Sequence, residues 1–202
     1  MSKSSRMRFL MVALFSGSVW AQGIQNHDMV ILAGPAWNGS QTIGGTNVTL
    51  ASSSGYNFQT DYGYQVARLS AVSLFLDLSF HFTFPGTPAV PAPLADGAES
   101  AWDAGTLGLR LLVPVNSRLS FYTLSGGGLG SFSYPVLTGG ASPAVSLNNT
   151  VHGVFVFGGG ADVRLSRHWS LRMDVRDLVT GRDLNGPGRH HVLPSFGVAI
   201  HF

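Results

Sequence analysis

The sequence predicts an all-β fold, an eight-stranded antiparallel up-and-down transmembrane β-barrel. Apolar and polar residues alternate along segment after segment, and a period of two is typical of a strand that is apolar on one face. Only 11% of the 202 residues are charged, whereas ordinary soluble domains carry about 25%. Beyond the N-terminal residues, no apolar stretch approaches the roughly 20 residues of a membrane-spanning helix.

The first residues have the composition of an export signal. Three basic residues precede a short apolar run at 9–15, and small residues precede Gln22. We therefore expect 1–21 to be a signal peptide and 22–202 to form one barrel domain. The chain contains no Cys, which excludes disulfides, thiolate chemistry and lipoprotein acylation.

Four candidate strands lie in the first part of the chain. The segment 29–37 contains a glycine and a proline, which favour an edge or bulged first strand. The segment 56–66 alternates aromatic with polar residues. The clearest segment is 72–84, where seven consecutive same-face positions are apolar. Alternation returns at 106–113, with leucines on one face and Arg110 on the other.

Four further candidate strands complete the predicted barrel. The segment 119–134 is interrupted by glycines, and its pattern assigns neither face. The segments 154–165 and 169–176 each place apolar residues on one face and charged residues on the other. The last segment, 192–202, carries a continuous apolar stripe on one face and small or polar residues on the other. This stripe suits a strand that closes a barrel against lipid.

Connections of two lengths join these strands. Short connections fall near 69–70, 114–117 and 166–168, and long ones span 38–55, 85–100, 135–150 and 180–189. This alternation of short and long connections predicts short periplasmic turns and four longer extracellular loops. The pattern leaves open whether one of the long loops contains an extra strand. A soluble β-sandwich with its apolar faces inward is the alternative architecture.

Two segments resemble a known family. Residues 158–177 look like the penultimate hairpin of the eight-stranded outer-membrane barrels of the OmpA-like, opacity-protein and porin-like superfamily, and 196–202 are similar to the signal read by their assembly machinery. The resemblance implies a bacterial outer-membrane location. It also implies three partners: outer-membrane lipid, lipopolysaccharide and the assembly machinery. The signal would consist of the outward stripe Phe196, Val198, Ile200 and Phe202. The peptidoglycan-binding domain of full OmpA-type proteins is absent from this sequence, so the resemblance does not imply anchoring to the cell wall.

Strand parity predicts an ionic network inside the barrel. Four acids and four bases fall on polar faces: Asp61, Asp77, Asp162, Asp174, Arg110, Arg164, Arg172 and Arg176. Unpaired charge in a narrow interior costs several kcal/mol, so we expect hydrogen-bonded ion pairs. A turn of three residues at 166–168 would place Asp162 opposite Arg172. The alternative is that some of these residues lie at the wet ends of the barrel.

No catalytic, cofactor or metal site stands out. The glycine runs lack the strand–loop–helix context of a phosphate loop. His190 and His191 are neighbours in a strand, so they point to opposite faces. Ser195 and His201 are separated by roughly 20 Å of strand at about 3.3 Å per residue, so they cannot form a catalytic pair. The net charge is only +2, and no basic run follows the N-terminal residues, so we expect no nucleic-acid partner.

Three functions fit these features. We expect a non-enzymatic outer-membrane barrel with a plugged lumen, acting in surface interaction or envelope integrity. The first alternative is a small-solute or ion channel, which a bilayer conductance measurement would reveal. The second is a lipid A-modifying enzyme, which lipid A mass spectrometry would reveal. That enzyme would need a lipid-facing His/Ser pair two residues apart, and no such pair is visible. The sequence names no partner for the extracellular loops.

Overall fold

The computed structural model describes residues 26–39, 41–42, 49–50, 53–69, 71–85, 101–138, 144–180 and 189–202. Ten strands occupy these residues: β1 (His27–Asn38), β2 (Gln41–Thr42), β3 (Thr49–Leu50), β4 (Ser53–Leu69), β5 (Val72–Pro85), β6 (Trp102–Pro114), β7 (Leu119–Thr138), β8 (Ala144–Arg164), β9 (Trp169–Thr180) and β10 (Arg189–His201). Within the described part of the chain, no helix has the length and apolar character needed to cross a membrane. The predicted signal peptide at 1–21 lies outside the described residues.

Eight of the strands form one closed antiparallel barrel in the order β1-β10-β9-β8-β7-β6-β5-β4. β4 pairs with β1 and closes the sheet, so each barrel strand has two neighbours. Closure leaves no unpaired strand edge, which is what a sheet needs where no water can bind its backbone. The predicted eight-stranded antiparallel barrel is therefore confirmed. β2 and β3 form a separate two-stranded sheet in the first long connection, so an extra hairpin does occupy a loop.

The connections alternate between short and long as predicted, with one correction. β7 and β8 continue to Thr138 and Ala144, which pair with each other. The long connection expected at 135–150 is therefore largely strand, because backbone pairing continues past the point where the apolar alternation ends. The remainder of that connection, 139–143, lies outside the described residues, as do 86–100 and 181–188 of two other long connections.

β1 is not the edge or bulged strand that its glycine and proline predicted. It pairs with β4 in one unbroken register along its whole length. Its pairing with β10 runs to Ala33 and resumes at Trp37 in the same register, which places Pro35 level with Pro194. Two prolines without N–H groups account for the gap in that ladder. The bulge lies instead in β4, between Gln65 and Ala67.

The exterior and interior of the barrel differ in chemistry. Outward side chains are large and apolar along the strands; Leu107, Leu109 and Leu111 of β6 are 44–52% exposed. Inward positions hold buried charged and polar groups. A soluble sandwich would bury the apolar set and solvate the charges, so that alternative is excluded. Even-numbered residues face inward in β1, where apolar residues occur on both faces, and in β7, whose faces the sequence pattern left unassigned.

Candidate functional site

The interior of the barrel is the candidate site, and it has two filled levels. The first, which we call the ionic layer, consists of Asp28, Asp61, Asp77, Arg110, Asp162, Arg172, Asp174 and Arg176, all buried. The second, nearer the long connections, is an aromatic layer of Trp102, Phe132 and His191. Alternation along each strand places these side chains inward while their sequence neighbours face out.

Two arginines share one aspartate in the part of the ionic layer nearer the short turns. Nη2 of Arg110 donates to both carboxylate oxygens of Asp28, at 2.8 and 2.7 Å, and its Nε donates to Asp77. Nε and Nη2 of Arg172 donate to the two oxygens of Asp162, at 2.6 and 2.7 Å. Nη2 of Arg172 also lies 3.2 Å from Oδ2 of Asp28. Asp28 of β1 therefore joins strands on opposite sides of the barrel.

Arg176 organises the other part of the ionic layer. Its Nη2 donates to Oδ2 of Asp61 at 2.6 Å, and its Nε donates to Oδ2 of Asp174 at 2.9 Å. Its Nη1 donates to the hydroxyl of Ser79 at 2.8 Å. Gln59 supports Asp61 through a bond of 2.9 Å from Nε2. These charge-assisted bonds connect β4, β5 and β9 through the lumen.

Tyr122 of β7 connects the two parts of the ionic layer. Its hydroxyl donates to Oδ2 of Asp174 at 2.7 Å. Its ring centre lies 5.0 Å from the guanidinium carbon of Arg172 and 5.7 Å from that of Arg110, within cation–π range. Gly160 makes room for it, because a Cβ there would lie 2.6 Å from the tyrosine hydroxyl. Part of the glycine content of β8 is therefore explained by lumen packing.

The structure changes the predicted network at two positions: one predicted member leaves it, and one further residue joins it. Arg164 is exposed at the end of β8, two residues beyond Asp162, and it joins no ion pair among the described residues. Its position in the alternation is inward, as predicted. However, β8 ends at this residue, so the side chain lies at the end of the barrel. Asp28 belongs to the layer and was missed, because β1 is apolar on both faces. An acid that faces lipid is destabilising, although by less than the cost of about 2–4 kcal/mol for Arg or Lys at the bilayer midplane, so a lone acid in β1 was a usable signal for the lumen.

The ionic layer carries more acid than base. Five carboxylates face three guanidinium groups, so its formal charge is −2. All three arginines are fully buried, with 0–1% of each side chain exposed. Burial of this kind is tolerated only when each charge keeps partners and hydrogen bonds. Each arginine here bonds to two aspartates.

The aromatic layer lies over the ionic one. Trp102 stacks on Phe132 at 5.6 Å and meets His191 at 4.9 Å between ring centres. Oδ1 of Asn38 accepts from Nε1 of Trp102 at 3.1 Å and lies 2.8 Å from Nδ1 of His191. Inward apolar residues pack around this group: Ala36, Ala104, Leu124, Val154, Val156, Leu178 and Leu193. This apolar level of the lumen was not expected from the sequence.

The residues weighed as catalytic candidates lie apart. Ser195 accepts a hydrogen bond from Asn57, and His201 lies 2.9 Å from the hydroxyl of Ser170. His191 is buried, whereas the side chain of His190 is 63% exposed and lies 2.6 Å from Asp177. The two histidines therefore cannot chelate one ion together.

The predicted assembly stripe lies on the outer face of β10 and at its end. Phe196 is 72% exposed and Phe202 is 48% exposed. The ring of Phe202 stacks on His27 of β1 at 5.7 Å. Val198 and Ile200 lie between them on the same face. The four residues therefore form one outward apolar row beside the pairing of β10 with β1.

Comparison with known proteins supports the fold. No protein-family model and no curated protein matches the sequence. Among solved structures, the chain is similar to Neisserial surface protein A, with a TM-score of 0.55 and 16% identity over 89% of this chain and 98% of that one. It is also similar to OprG of Pseudomonas aeruginosa, with 16% identity, a TM-score of 0.49 and coverage of 90% and 98%. A third similar structure is Ail of Yersinia pestis, with 13% identity, a TM-score of 0.48 and coverage of 89% of this chain and 100% of that one.

The chain thus has the fold of the small outer-membrane barrels. The likeness to Neisserial surface protein A shows the fold, and the surface adds the physical argument for the location. A continuous apolar exterior of this extent is stable against lipid and unfavourable against water. An exposed apolar wall around a buried ionic interior is the arrangement expected of a barrel that lies in a lipid bilayer.

Proposed function

We propose that the protein is a non-enzymatic barrel of the outer membrane, with a plugged lumen, that acts in surface interaction or envelope integrity. The observation that carries the proposal is the set of three buried arginines, Arg110, Arg172 and Arg176, each bonded to two aspartates across the lumen. An eight-stranded barrel encloses a space just wide enough for side chains to fill. Cross-lumen ion pairs then act as rigid struts, not as the lining of a pore.

Two observations support this reading over the alternatives. A solute crossing the barrel would have to displace both the ionic layer and the aromatic layer, including the stacked pair Trp102 and Phe132. The outward His190–Asp177 pair is the arrangement nearest to a lipid-facing catalytic dyad. Within the described residues, no serine or threonine hydroxyl bonds to that pair, so the dyad lacks the nucleophile that an acyl-transfer mechanism would need.

We expect the protein to show no steady conductance in a planar lipid bilayer. The two filled levels block the lumen independently, so a double variant Trp102→Ala/Phe132→Ala, which opens only the aromatic layer, should remain closed as well. Single-channel recording on protein purified from outer membranes checks both. A large, steady conductance of the unmodified protein would contradict the plugged barrel and favour the channel alternative.

We further propose that Phe196, Val198, Ile200 and Phe202 form the row by which the assembly machinery recognises the last strand. Replacing Phe202 with Asp should reduce the amount of folded protein in the outer membrane and increase its degradation in the periplasm. The measurement is the heat-modifiable band in fractionated membranes.

Val115→Asp provides the matched control for this variant. Val115 is 58% exposed in the turn after β6, so the same charge is added at the same end of the barrel but away from the last strand. Equal membrane levels of the Phe202 variant and the unmodified protein would argue against a recognition role. An equal loss in both variants would assign the effect to the charge alone.

A further inference from the structure

The barrel end that carries the short turns opens into a cavity of about 480 Å³. Its wall is built from the ends of all eight barrel strands and from the turns β6–β7 and β8–β9. The volume lies within the range of about 300–1,000 Å³ typical of small-ligand sites. We call this cavity the periplasmic mouth.

Four arginines line the periplasmic mouth. Arg68 lies at the end of β4, Arg118 in the turn before β7, Arg164 at the end of β8 and Arg167 in the following turn. All four are exposed. None of them joins an ion pair with an acid among the described residues. Each of the three short turns thus contributes at least one unpaired guanidinium group to one cavity.

The acids that reach this cavity are already engaged. Among the described residues, Asp28 and Asp162 are the acids in its wall. Asp28 bonds to Arg110 and Arg172, and Asp162 accepts two bonds from Arg172. Their oxygens are therefore already bonded to arginines of the ionic layer, and neither acid forms an ion pair with a mouth arginine.

The arginines are distributed unevenly along the barrel. The described residues contain eight: three lie in the ionic layer, Arg189 lies at the opposite end, and the other four line the periplasmic mouth. Two of these four are directly paired, since the backbone N–H of Arg164 donates to the carbonyl of Arg118 at 2.7 Å. Like charges placed opposite each other across paired strands are destabilising. A bound anion would offset that repulsion.

We propose that the periplasmic mouth binds a compact anion that carries two or more phosphate groups. The planar guanidinium group donates in a fork that matches phosphate oxygens, and several arginines on separate turns can surround one multiply charged group. Hydroxyl groups of Ser73, Ser117 and Ser120 in the same wall supply neutral donors. Such a group can come from a soluble polyphosphate or from the headgroup of a phospholipid with two phosphate groups, such as cardiolipin, in the inner leaflet.

The test uses inorganic tripolyphosphate as the probe. Protein purified from outer membranes into uncharged detergent should bind it saturably in isothermal titration calorimetry at low ionic strength, and added salt should weaken the binding. The double variant Arg164→Gln/Arg167→Gln should weaken it by about tenfold or more, because two charge-assisted contacts are lost. Arg189→Gln is the matched control, and it should leave the affinity unchanged, because Arg189 lies at the other end of the barrel.

Two outcomes would overturn the proposal. One is the absence of saturable binding by the unmodified protein. The other is an equal loss of affinity in the mouth variant and in the Arg189 control. If the unmodified protein fails to bind and the mouth variant melts at a lower temperature, the arginines serve only to balance the negative ionic layer. The heat-modifiable band shows in each case that the variant is folded.

A second arm separates the two sources of phosphate. The titration is repeated in nanodiscs of phosphatidylcholine that contain either cardiolipin or phosphatidylglycerol at the same total lipid charge. Weaker tripolyphosphate binding with cardiolipin than with phosphatidylglycerol assigns the mouth to a lipid headgroup with two phosphate groups. An unchanged affinity assigns it to a soluble anion.

Discussion

Replacing Arg172 with alanine should lower the free energy of unfolding by about 3–5 kcal/mol, the usual cost of removing one partner from a buried ion pair. The variant leaves Asp162 without the two bonds it accepts from Arg172. It also removes one of the two arginines that bond to Asp28. Both carboxylates are buried, so water cannot replace the lost donors at low cost.

Urea unfolding in detergent, followed by the loss of the heat-modifiable band, measures the effect. Arg164→Ala is the matched control, because it removes the same side chain from the same barrel at an exposed position. We expect that control to stay within about 0.5 kcal/mol of the unmodified protein. A urea midpoint of the Arg172 variant equal to that of the unmodified protein would refute the cross-lumen struts.

Replacing Gly63 with alanine should destabilise the barrel by about 1–3 kcal/mol, through overpacking. Gly63 faces the lumen in β4, and a Cβ built there would overlap Oδ1 of Asp28 and Nη2 of Arg110. These are the atoms of the ion pair that joins β1 to β6. The pair must separate or shift to accommodate the methyl group, and either change costs part of a buried charge-assisted contact.

Gly153→Ala controls for the exchange of glycine for alanine in a strand. A Cβ at Gly153 meets no heavy atom within 4 Å, so its own packing gives no reason for destabilisation. The same unfolding assay on both variants checks the prediction. Equal midpoints for the two variants would mean that the Asp28–Arg110 pair has room to relax and does not hold β1 to β6.

Most of the sheet was readable from the sequence because a strand has a period of two. In β5, and in β9 as far as Val175, one face is apolar, so the alternation alone tells which side chains face lipid. The register of β8 with β9 followed from the same parity. Both strands place even-numbered residues inward, so an odd number of residues must connect them. Leu165 bonds to Trp169 across three residues, and Asp162 lies opposite Arg172.

The same logic failed where both faces looked alike. β1 has apolar residues at Met29, Val30, Ile31 and Leu32 in succession, so alternation did not show which face of the strand points inward. Asp28 therefore went unassigned. In β7 the glycines removed the contrast between faces, and the inward position of Tyr122 was hidden. Inward leucines such as Leu193 were unexpected, because the rule that polar residues face inward holds for the ionic layer and not for the aromatic one.

The sequence by itself determined that the chain forms an eight-stranded barrel with an apolar exterior and charges inside. Alternation, turn length and composition are local properties, and together they specify strands, faces and neighbours. Apart from the pair of Asp162 and Arg172, which the register of β8 and β9 predicted, only the tertiary structure decided which charges meet. Asp28 contacts Arg110 and Arg172, which lie 82 and 144 residues away, because closure of β1 against β10 and β4 brings the two ends of the chain into one ring. It likewise decided that Arg164 leaves the network and joins three other arginines at the periplasmic mouth, since separate turns converge only when the sheet closes.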